Sequence, residues 1–492
     1  MLLLGIDLGT SSIKVSVVDS QTQISLCTTQ YPETETGIIS EQAGWAEQSP
    51  EIWWEHVQKA ILKANASGLY NPFDIAAIGI AYQMHGLVLV DRDQKVLRNS
   101  IIWCDSRAVD LGNEALNAIG EEKCLSQLLN SPGNFTASKL AWVKRNEPEI
   151  YEKIDKMMLP GDFIAMKLTG EISTSISALS EGVFWDFKKN ALSEDVMGYF
   201  GFDKSIIPEI NPVFAEHGYL GKNQAELLSL KIGIPVSYKA GDQPNNALSL
   251  NVLKPGEVAA NGGTSGVIYG VSDQLTFDPE SRVNSFAHVN YSRENKRVGV
   301  LLCINGTGIL NRWTKDVIGT GISYDRMNSM AMEVKAGSAG LRIIPFGNGA
   351  ERMLNNRNIG AHFYHIDLNK HSSAHIFRAV QEGIAFAFRY GLDIMRENGM
   401  HPAVIRAGNT NMFSSELFIE AFVNACGVPL ELYSNEGSIG AAIGAGIGIG
   451  ELNTENAFAN LKPLRKIEPQ KSEDYETIYL EWKGMLLGHL QT

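Results

Sequence analysis

The sequence contains one local pattern twice: an apolar strand, a short turn of Gly, Thr and Ser, and a second strand. The first copy spans residues 2–17 with its turn at residues 9–12, and the second spans residues 258–269 with its turn at residues 261–266. Alternating apolar and polar residues beside a short glycine-bearing turn predict a β-hairpin. Because one hairpin opens each half of the chain, we expect two related domains that face each other across a cleft.

The length agrees with this division, since 492 residues correspond to about two to four domains of ordinary size. Apolar residues make up 44% of the chain and charged residues 20%, which is typical of a folded protein with a substantial core. We predict an N-terminal domain of residues 1–250 and a C-terminal domain of residues 251–492. The boundary is placed near Leu250, where no linker-like composition marks it.

The charge balance limits the partners of this protein. Lys and Arg number 42 against 55 Asp and Glu, so the formal net charge is −13, and no basic block is present. Proteins that bind nucleic acids or anionic membranes concentrate Lys and Arg to neutralise phosphates. We therefore expect neither as a partner, and a phosphate group would be held in one local, neutral or metal-assisted pocket. The oligomeric state is left open, with a homodimer among the alternatives.

The termini and cysteines indicate the compartment. The N-terminus has no basic segment and Asp7 interrupts its apolar run, so it does not resemble a signal peptide. The longest uncharged stretch, residues 438–450, is shorter than the about 20 helical residues that span a bilayer. The five cysteines are scattered without a Cys-x-x-Cys pair, which predicts neither a disulfide framework nor a zinc site. We expect a soluble, cytoplasmic protein.

Apolar periodicity and turn residues predict the remaining elements that surround the candidate site. Ser49 and Pro50 supply an N-cap and a first-turn proline to a helix that carries Trp53 and Trp54. A Gly/Ala-rich helix opens at residues 436–440, and Ser414 or Ser415 caps the helix before it. Further strands are expected at residues 75–81, 87–90, 234–241 and 404–407, and further helices at residues 136–146, 247–253 and 374–397.

The strongest local motif is the first turn, with Asp7 at the end of its strand. A glycine-bearing turn exposes backbone N–H groups that can hold phosphate oxygens, and a carboxylate beside it can hold Mg²⁺ through water. The alternative is a plain hairpin turn. The second Gly-Thr-Ser turn favours the phosphate interpretation, because two such turns could grip one triphosphate from both sides.

Two other places carry candidate chemistry. Asp242 follows Ala240-Gly241 at a strand–helix junction, where it could accept a hydroxyl proton or merely cap its helix. The segments at residues 83–86 and 102–107 could present an imidazole, an indole and a carboxylate to a polyhydroxylated ligand. Taken alone, a structural His and a core Trp are the favoured interpretation of these segments. Zinc-protease, Walker-type and Rossmann motifs are not matched by the chain.

Together these residues resemble the FGGY carbohydrate kinases, most closely their xylulose-kinase members, from Gly5 to about Gly450. Residues 7–11 and 262–266 are similar to the two phosphate loops of the family, and residues 241–243 to its catalytic segment. Residues 83–86 resemble the sugar segment of xylulose kinases, residues 103–107 the family's Trp-Asn-Asp-x-Arg, and residues 408–410 and 437–444 its adenosine pocket. The departures are Gln243 in place of Asn, Gly408-Asn409 in place of a triple glycine, and an altered segment at residues 349–353.

The resemblance implies an α/β protein of two ribonuclease-H-like domains of the actin/hexokinase type, with the active site in the cleft between them. It implies transfer of the γ-phosphoryl group of ATP to a terminal hydroxyl of a ketopentose, most closely D-xylulose, with Mg²⁺. Asp242 would be the base, Asp7 the second catalytic residue, and both would hold the metal through water. The sugar site would comprise Gln83, Met84, His85, Trp103, Asp105 and Gln243. The ATP site would comprise Gly9, Thr10, Ser11, Lys14, Gly263, Thr264, Ser265, Gly408, Asn409 and Asn411.

Three alternatives stay open at this point. The first is a kinase for another sugar, polyol or sugar acid, such as ribulose, arabinitol or gluconate. The second is an actin-like ATPase, which shares the paired phosphate turns but needs no sugar pocket. The third is a non-catalytic sugar sensor, which the presence of both Asp7 and Asp242 disfavours.

Overall fold

The computed structural model describes residues 1–434 and 436–491, and its first half is built on a five-stranded sheet. The strands are β1 (Leu2–Leu8), β2 (Ile13–Asp19), β3 (Ser25–Tyr31), β4 (Ile75–Tyr82) and β5 (Val236–Gly241), in the order β5-β4-β1-β2-β3. Neighbours among β1, β2 and β3 are antiparallel, whereas β4 and β5 run parallel to β1. The predicted first hairpin, β1 with β2, therefore lies at the centre of this sheet.

A second sheet of seven strands repeats this arrangement. Its strands are β6 (Val258–Gly262), β7 (Gly266–Ser272), β8 (Asn284–Ala287), β9 (Val298–Ile304), β10 (Ile405–Gly408), β11 (Leu430–Tyr433) and β12 (Arg465–Ile467), in the order β8-β9-β7-β6-β10-β11-β12. The five central strands, β9-β7-β6-β10-β11, match β3-β2-β1-β4-β5 in order and direction. The predicted pair of ribonuclease-H-like domains is confirmed, and the exact boundary near Leu250 stays a prediction.

Helices cover both sheets. Within the described ranges they are α1 (Pro50–Asn65), α2 (Val109–Ile119), α3 (Glu121–Leu128), α4 (Thr136–Asn146), α5 (Pro148–Tyr151), α6 (Pro160–Thr169), α7 (Ile176–Glu181), α8 (Glu194–Phe200), α9 (Lys222–Leu228), α10 (Asp242–Ser249), α11 (Gly308–Val317), α12 (Tyr324–Met332), α13 (Ser373–Glu397), α14 (Glu416–Cys426), α15 (Gly437–Gly448) and α16 (Ser472–Gln491). Short strands pair as Glu47–Gln48 with Ser100–Ile101, Val88–Val90 with Lys156–Met158, Ser173–Thr174 with Glu209–Ile210, Trp185–Asp186 with Ala191–Leu192, and Arg342–Ile344 with His362–Tyr364. No helix in these parts of the chain is both long enough and apolar enough to span a membrane.

Alternate residues of β1 face two different layers, as the two-residue period of a strand requires. Leu4 and Ile6 pack into a core that includes Trp53 of α1 and Phe163 of α6. Leu3 belongs to the opposite core, which is formed with the alanines of α15. Asp7 lies on this second face as well, so the strand carries it to the first residue of α15.

Helix α15 crosses from the second half of the chain to cover the first sheet. A Cβ atom on Gly5 would lie 1.8 Å from the backbone oxygen of Ser438, and one on Gly79 would lie 2.0 Å from that of Ala441. The helix backbone thus rests directly on the strands, which only glycine allows. In the structure residues 437–444 lie on the first sheet, with Gly437 beside Asp7, and their place at an adenosine pocket stays a prediction.

Two local predictions differ from the structure near the site. The helix after β5 begins at Asp242 and ends at Ser249, several residues earlier than predicted, because Pro244 is tolerated in a first helical turn, where no intrahelical N–H bond is lost. Ser49 does occupy the N-cap position of α1, but its hydroxyl makes no capping hydrogen bond. At α14, by contrast, the Ser415 hydroxyl accepts a hydrogen bond from the Phe418 N–H, as the capping interpretation predicts.

Candidate active site

A cavity of about 250 Å³ lies between the two domains, where strands of both sheets end. We call it the cleft cavity. Its lining from the first domain includes Asp7, Gly9, Lys14, Asp242 and Gln243, and its lining from the second includes Asn261, Gly408, Thr410 and Asn411, with Glu436 and Gly437 at the start of α15. Clefts that gather polar groups from several chain segments are the usual place of ligand binding.

Asp7 and Asp242 bring two carboxyl groups into this cavity. Burial, together with the negative charge of Asp7, raises the pKa of the Asp242 carboxyl to about 7. Burial also raises the pKa of Asp7 to about 6, although the Lys14 ammonium group acts in the opposite direction. The charge on one carboxylate makes ionisation of the other less favourable, so a cation bound beside both would be stabilising. Carboxyl groups with such shifted pKa values cluster at functional sites.

The residues present fit a magnesium ion. The Asp242 carboxylate accepts a hydrogen bond from Gln243 Nε2 at 3.3 Å, and no side-chain hydrogen bond to Asp7 occurs within the described residues. Both carboxylates therefore keep free lone pairs. In the described parts of the chain, no group of three or more acidic, His or Cys side chains is placed so that it could hold a metal ion by itself. Mg²⁺ is typically held by only one or two carboxylates, with phosphates and water as its other ligands.

The first turn is fixed by hydrogen bonds of its backbone and of the Thr10 hydroxyl. The Gly9 N–H donates to the Ser12 carbonyl at 3.1 Å, which closes the turn. The Thr10 hydroxyl donates to Gln83 Oε1 at 3.1 Å and accepts from Trp103 Nε1 at 3.0 Å. Ser11 is exposed at the tip. A turn fixed in this way can present its backbone to a ligand without rearrangement.

Lys14 has a partner that the sequence did not indicate. Its ammonium group forms a 2.8 Å ion pair with Glu436, the residue just before α15. Both side chains are a little over one-third exposed, so the ion pair contributes little to stability. The pairing links the first hairpin to α15 beside the cleft cavity, and the place of Lys14 in an ATP site stays a prediction.

The second turn is anchored to helix α11. The N–H groups of Gly308 and Ile309 donate to the carbonyls of Gly263 and Thr264, each at 3.1 Å, and the Thr307 hydroxyl donates to the Thr264 carbonyl at 3.0 Å. The Gly-Thr-Gly at residues 306–308, which the sequence interpretation did not use, supplies this anchor.

A second cavity, of about 310 Å³, opens beside the second turn, and we call it the side cavity. Its lining includes Gly263, Thr264, Asn311, Arg312, Tyr324, Asn328 and Ser415. Asn411 lines both cavities, so the two are neighbours. Ser265 and Asn409 line neither; the Asn409 N–H donates to Tyr433, at the end of the neighbouring strand.

Two of the predicted sugar residues are buried supports of the first domain. The Gln83 amide lies between Thr10 and Gln48, and it is almost completely buried. The carboxylate of Asp105 is fully buried, where it accepts from the Ala46 N–H at 2.5 Å and forms an ion pair with Arg107 at 2.7 Å. Their hydrogen-bonding capacity is thus used inside the domain, because a buried carboxylate requires such partners.

Of the remaining predicted sugar residues, His85 lies where the two domains approach each other. The His85 ring lies 4.9 Å from the Phe135 ring and 5.4 Å from the ring of Phe286, which comes from the second domain. Burial, with the Lys139 ammonium group nearby, lowers the pKa of His85 to about 3, so its imidazole is neutral. Met84 packs against Gly241, the residue before Asp242, and Trp103 is half exposed.

Glu181 is a site residue that the sequence did not reveal. It is fully buried, and its Oε1 accepts a hydrogen bond from the His85 N–H at 3.1 Å. Its Oε2 has no partner among the described residues, and it lies 2.8 Å from the position that a Cβ on Gly241 would occupy. Burial raises the pKa of Glu181 well above its ordinary value, with Asp242 acting in the same direction. Glu181 thus joins the His85 segment to the backbone that carries Asp242.

The buried carboxyl of Asp7 should make the stability of the metal-free protein depend on pH. The folded-state pKa of about 6 exceeds the ordinary 3.8, so the folded protein binds more protons than the unfolded chain between these values. Relative to an Asp7→Asn variant, wild-type stability should therefore fall by about 1 to 3 kcal/mol as the pH rises through this range. Urea unfolding of both proteins with a chelator at several pH values measures the difference; a difference independent of pH contradicts the expectation.

Comparison with known proteins agrees with this geometry. Residues 2–249 match the family model described as "FGGY family of carbohydrate kinases, N-terminal domain", and residues 258–449 match the corresponding C-terminal domain. The xylulose kinase of Escherichia coli strain K12 is 27% identical over 474 residues, which cover 96% of this chain and 94% of that protein.

Solved structures share the fold over the whole chain. The structure of xylulose kinase from Rhodospirillum rubrum aligns with a TM-score of 0.89 at 24% identity and covers 100% of both chains. That of gluconate kinase from Lactobacillus acidophilus aligns with a TM-score of 0.90 at 19% identity and covers 99% of this chain and 98% of its own. Proteins named for different sugars thus share one architecture.

Proposed function

The chain belongs to the FGGY family of carbohydrate kinases, and from this premise we propose that it phosphorylates D-xylulose at its terminal hydroxyl with ATP and Mg²⁺. The choice of sugar is supported by the relatives named xylulose kinase, which cover nearly the whole chain. The choice of chemistry is supported by one structural observation above all. Asp7 and Asp242 line the same cleft cavity between the two glycine-bearing turns.

In the proposed reaction Asp242 takes the proton of the attacking hydroxyl. A base is most effective when its pKa lies near the working pH, and burial has brought the pKa of Asp242 to about 7. Asp7 and Asp242 would hold Mg²⁺ through water. When bound, this ion neutralises the charge that develops on the phosphate oxygens. The turns around Gly9 and Gly263 would hold the phosphates through backbone N–H groups.

The sugar would bind between the cleft cavity and the aromatic cluster of His85, Phe135 and Phe286. The Nδ1 of the neutral His85 imidazole donates to the Glu181 carbonyl at 3.1 Å, which leaves Nε2 to accept a hydrogen bond from a sugar hydroxyl. Because Phe286 belongs to the second domain, closing the cleft on a sugar would also exclude water from the phosphoryl group. We propose that this closure limits hydrolysis of ATP in the absence of sugar.

A panel of acceptors with Mg-ATP tests the proposal. D-Xylulose, D-ribulose, arabinitol and gluconate are offered in turn, and ADP release is measured against a reaction without acceptor. We expect D-xylulose to give the highest kcat/KM. A higher value with another acceptor transfers the assignment to that sugar, polyol or sugar acid. Equal ADP release with and without acceptors overturns the kinase assignment in favour of an ATPase.

A further inference from the structure

The side cavity has the chemistry of a site for a planar heterocycle. It adjoins the second turn at Gly263 and Thr264, so a ligand with phosphates in the cleft cavity would extend into it. Arg312 and Tyr324, both exposed, contribute planar groups that can stack on a ring. Asn311 and Asn328 contribute amides. The inference below rests on the proposed function, because it concerns the base of the nucleotide that the kinase uses.

A chain of hydrogen bonds behind this cavity fixes the orientation of one amide. The Phe418 N–H donates to the Ser415 hydroxyl oxygen at 3.4 Å, so the hydroxyl proton of Ser415 is left to donate elsewhere. It donates to Gln381 Oε1 at 2.7 Å. With its oxygen so engaged, Gln381 donates from Nε2 to Asn328 Oδ1 at 2.8 Å. Gln381 is fully buried, so no solvent competes for these bonds.

In the structure the hydrogen bonds of this chain run in one direction, from the Ser415 hydroxyl through the Gln381 amide to Asn328. Because the Ser415 proton engages the Gln381 oxygen, the Gln381 amide presents its Nε2 donor to Asn328. The Asn328 oxygen is consequently occupied by Gln381. Its Nδ2 makes no hydrogen bond with the described residues, and Asn328 itself lines the side cavity. The cavity thus presents an N–H donor whose direction is set by Ser415 and Gln381.

Asn311 supplies a second polar group. Its side chain is more than nine-tenths buried, and its Oδ1 has no hydrogen-bond partner among the described residues. An unpartnered buried oxygen is unfavourable until a donor reaches it. A donor from Asn328 and an acceptor from Asn311 complement a base edge that carries a ring nitrogen beside an amino group, as adenine does.

We propose that Asn328 recognises the base of the nucleotide by donating a hydrogen bond from Nδ2 to a ring nitrogen. Gln381 and Ser415 are the positioning residues that orient the Asn328 amide. Asn328→Asp tests the proposal, because the carboxylate keeps the size and the bond from Gln381 but offers an acceptor where the base requires a donor. We expect about 10- to 100-fold weaker ADP binding, the effect of one lost hydrogen bond with an unpaired group.

Pyrophosphate separates base recognition from phosphate binding. The affinity of the protein for pyrophosphate should change little in Asn328→Asp, because pyrophosphate has no base. The ratio of ADP affinity to pyrophosphate affinity should therefore fall by the same factor as ADP affinity. The KM for the sugar should stay unchanged. Gln381→Met, which frees the Asn328 amide to rotate, should lower the same ratio by about 3- to 10-fold. Asn113→Asp, on an exposed face of α2, introduces the same charge and serves as the control.

The outcomes separate this inference from the proposed function. ADP affinity of Asn328→Asp equal to that of Asn113→Asp, with sugar phosphorylation intact, overturns the base-reading role alone. An equal loss of ADP and pyrophosphate affinity also overturns it, because the phosphate site would then be disturbed. Failure of the wild-type protein to transfer a phosphoryl group from ATP to any sugar overturns the proposed function instead.

Discussion

Asp242→Asn should lower kcat by about 10²- to 10⁴-fold, the usual contribution of a general base, while ADP binding stays nearly unchanged. Asn has almost the same shape as Asp, and the amide can still interact with Gln243. It cannot accept a proton from the attacking hydroxyl. The variant should also be more stable than the wild-type protein in metal-free buffer near neutral pH, because a buried carboxyl with its pKa raised to about 7 is removed.

Steady-state kinetics with the preferred sugar, together with ADP titration calorimetry, measures both effects. Asp203→Asn is the matched control, since Asp203 is exposed and caps a short 3-10 helix in which Asn serves equally well. Activity of Asp242→Asn within a factor of about three of the control would remove Asp242 from the role of base. Loss of ADP binding in Asp242→Asn would indicate a disrupted cleft rather than a missing base.

Gly5→Ala should lower the free energy of unfolding by more than about 4 kcal/mol, the largest loss that one added methyl group would cause in the first domain. The new Cβ would lie 1.8 Å from the Ser438 oxygen and 2.5 Å from the Ala442 nitrogen. Both are helix backbone atoms, so no side-chain rotation can relieve the contact. Helix α15 would have to leave the sheet, which would expose the apolar layer beneath it.

Urea unfolding followed by tryptophan fluorescence measures this loss. Gly198→Ala is the matched control, because Gly198 lies inside helix α8 and a Cβ there has no atom within 4 Å. Alanine is a better helix former than glycine, so the control should gain about 0.5 to 1 kcal/mol. A Gly5→Ala protein as stable as the control would mean that α15 does not rest on this strand.

Helix α15 also contacts the candidate active site, so a change that displaces the helix should affect activity as well as stability. Its first residue, Gly437, approaches Asp7 so closely that a Cβ would lie 2.3 Å from the Asp7 carboxylate. Glu436, just before it, pairs with Lys14 of the first hairpin. A displaced α15 would therefore disturb the cleft cavity directly, and Gly5→Ala should lose catalytic activity at urea concentrations that leave the control active.

Much of the fold could be predicted because it depends on local patterns. The alternation in β1 and β2, the turn between them and the second copy in β6 and β7 are all encoded within short windows. The repeat of one hairpin in each half was enough to predict two related domains. Asp7 and Asp242 could be named as candidates because each stands at the end of a strand, and the resemblance to the kinase family favoured catalysis over helix capping for Asp242.

Local patterns do not reveal contacts between distant segments. Gln83 and Asp105 follow apolar strands, as ligand-binding residues often do, and Gln48 and the Ala46 N–H hold them from inside the domain. Lys14 is paired across more than four hundred residues of sequence. Glu181 carries no local signal, because it ends a short helix of otherwise small and apolar residues.

The sequence alone therefore determined the two glycine-bearing hairpins, the pair of domains and the carboxylates at the strand ends, because strand period, turn chemistry and strand direction act over a few residues. Only the tertiary structure decided which polar side chains face the cleft, where α15 lies, and how Ser415 and Gln381 orient Asn328. These depend on hydrogen bonds and close packing between elements far apart in the chain. Short-range residue patterns do not encode such partners, since several side chains of each type could satisfy them.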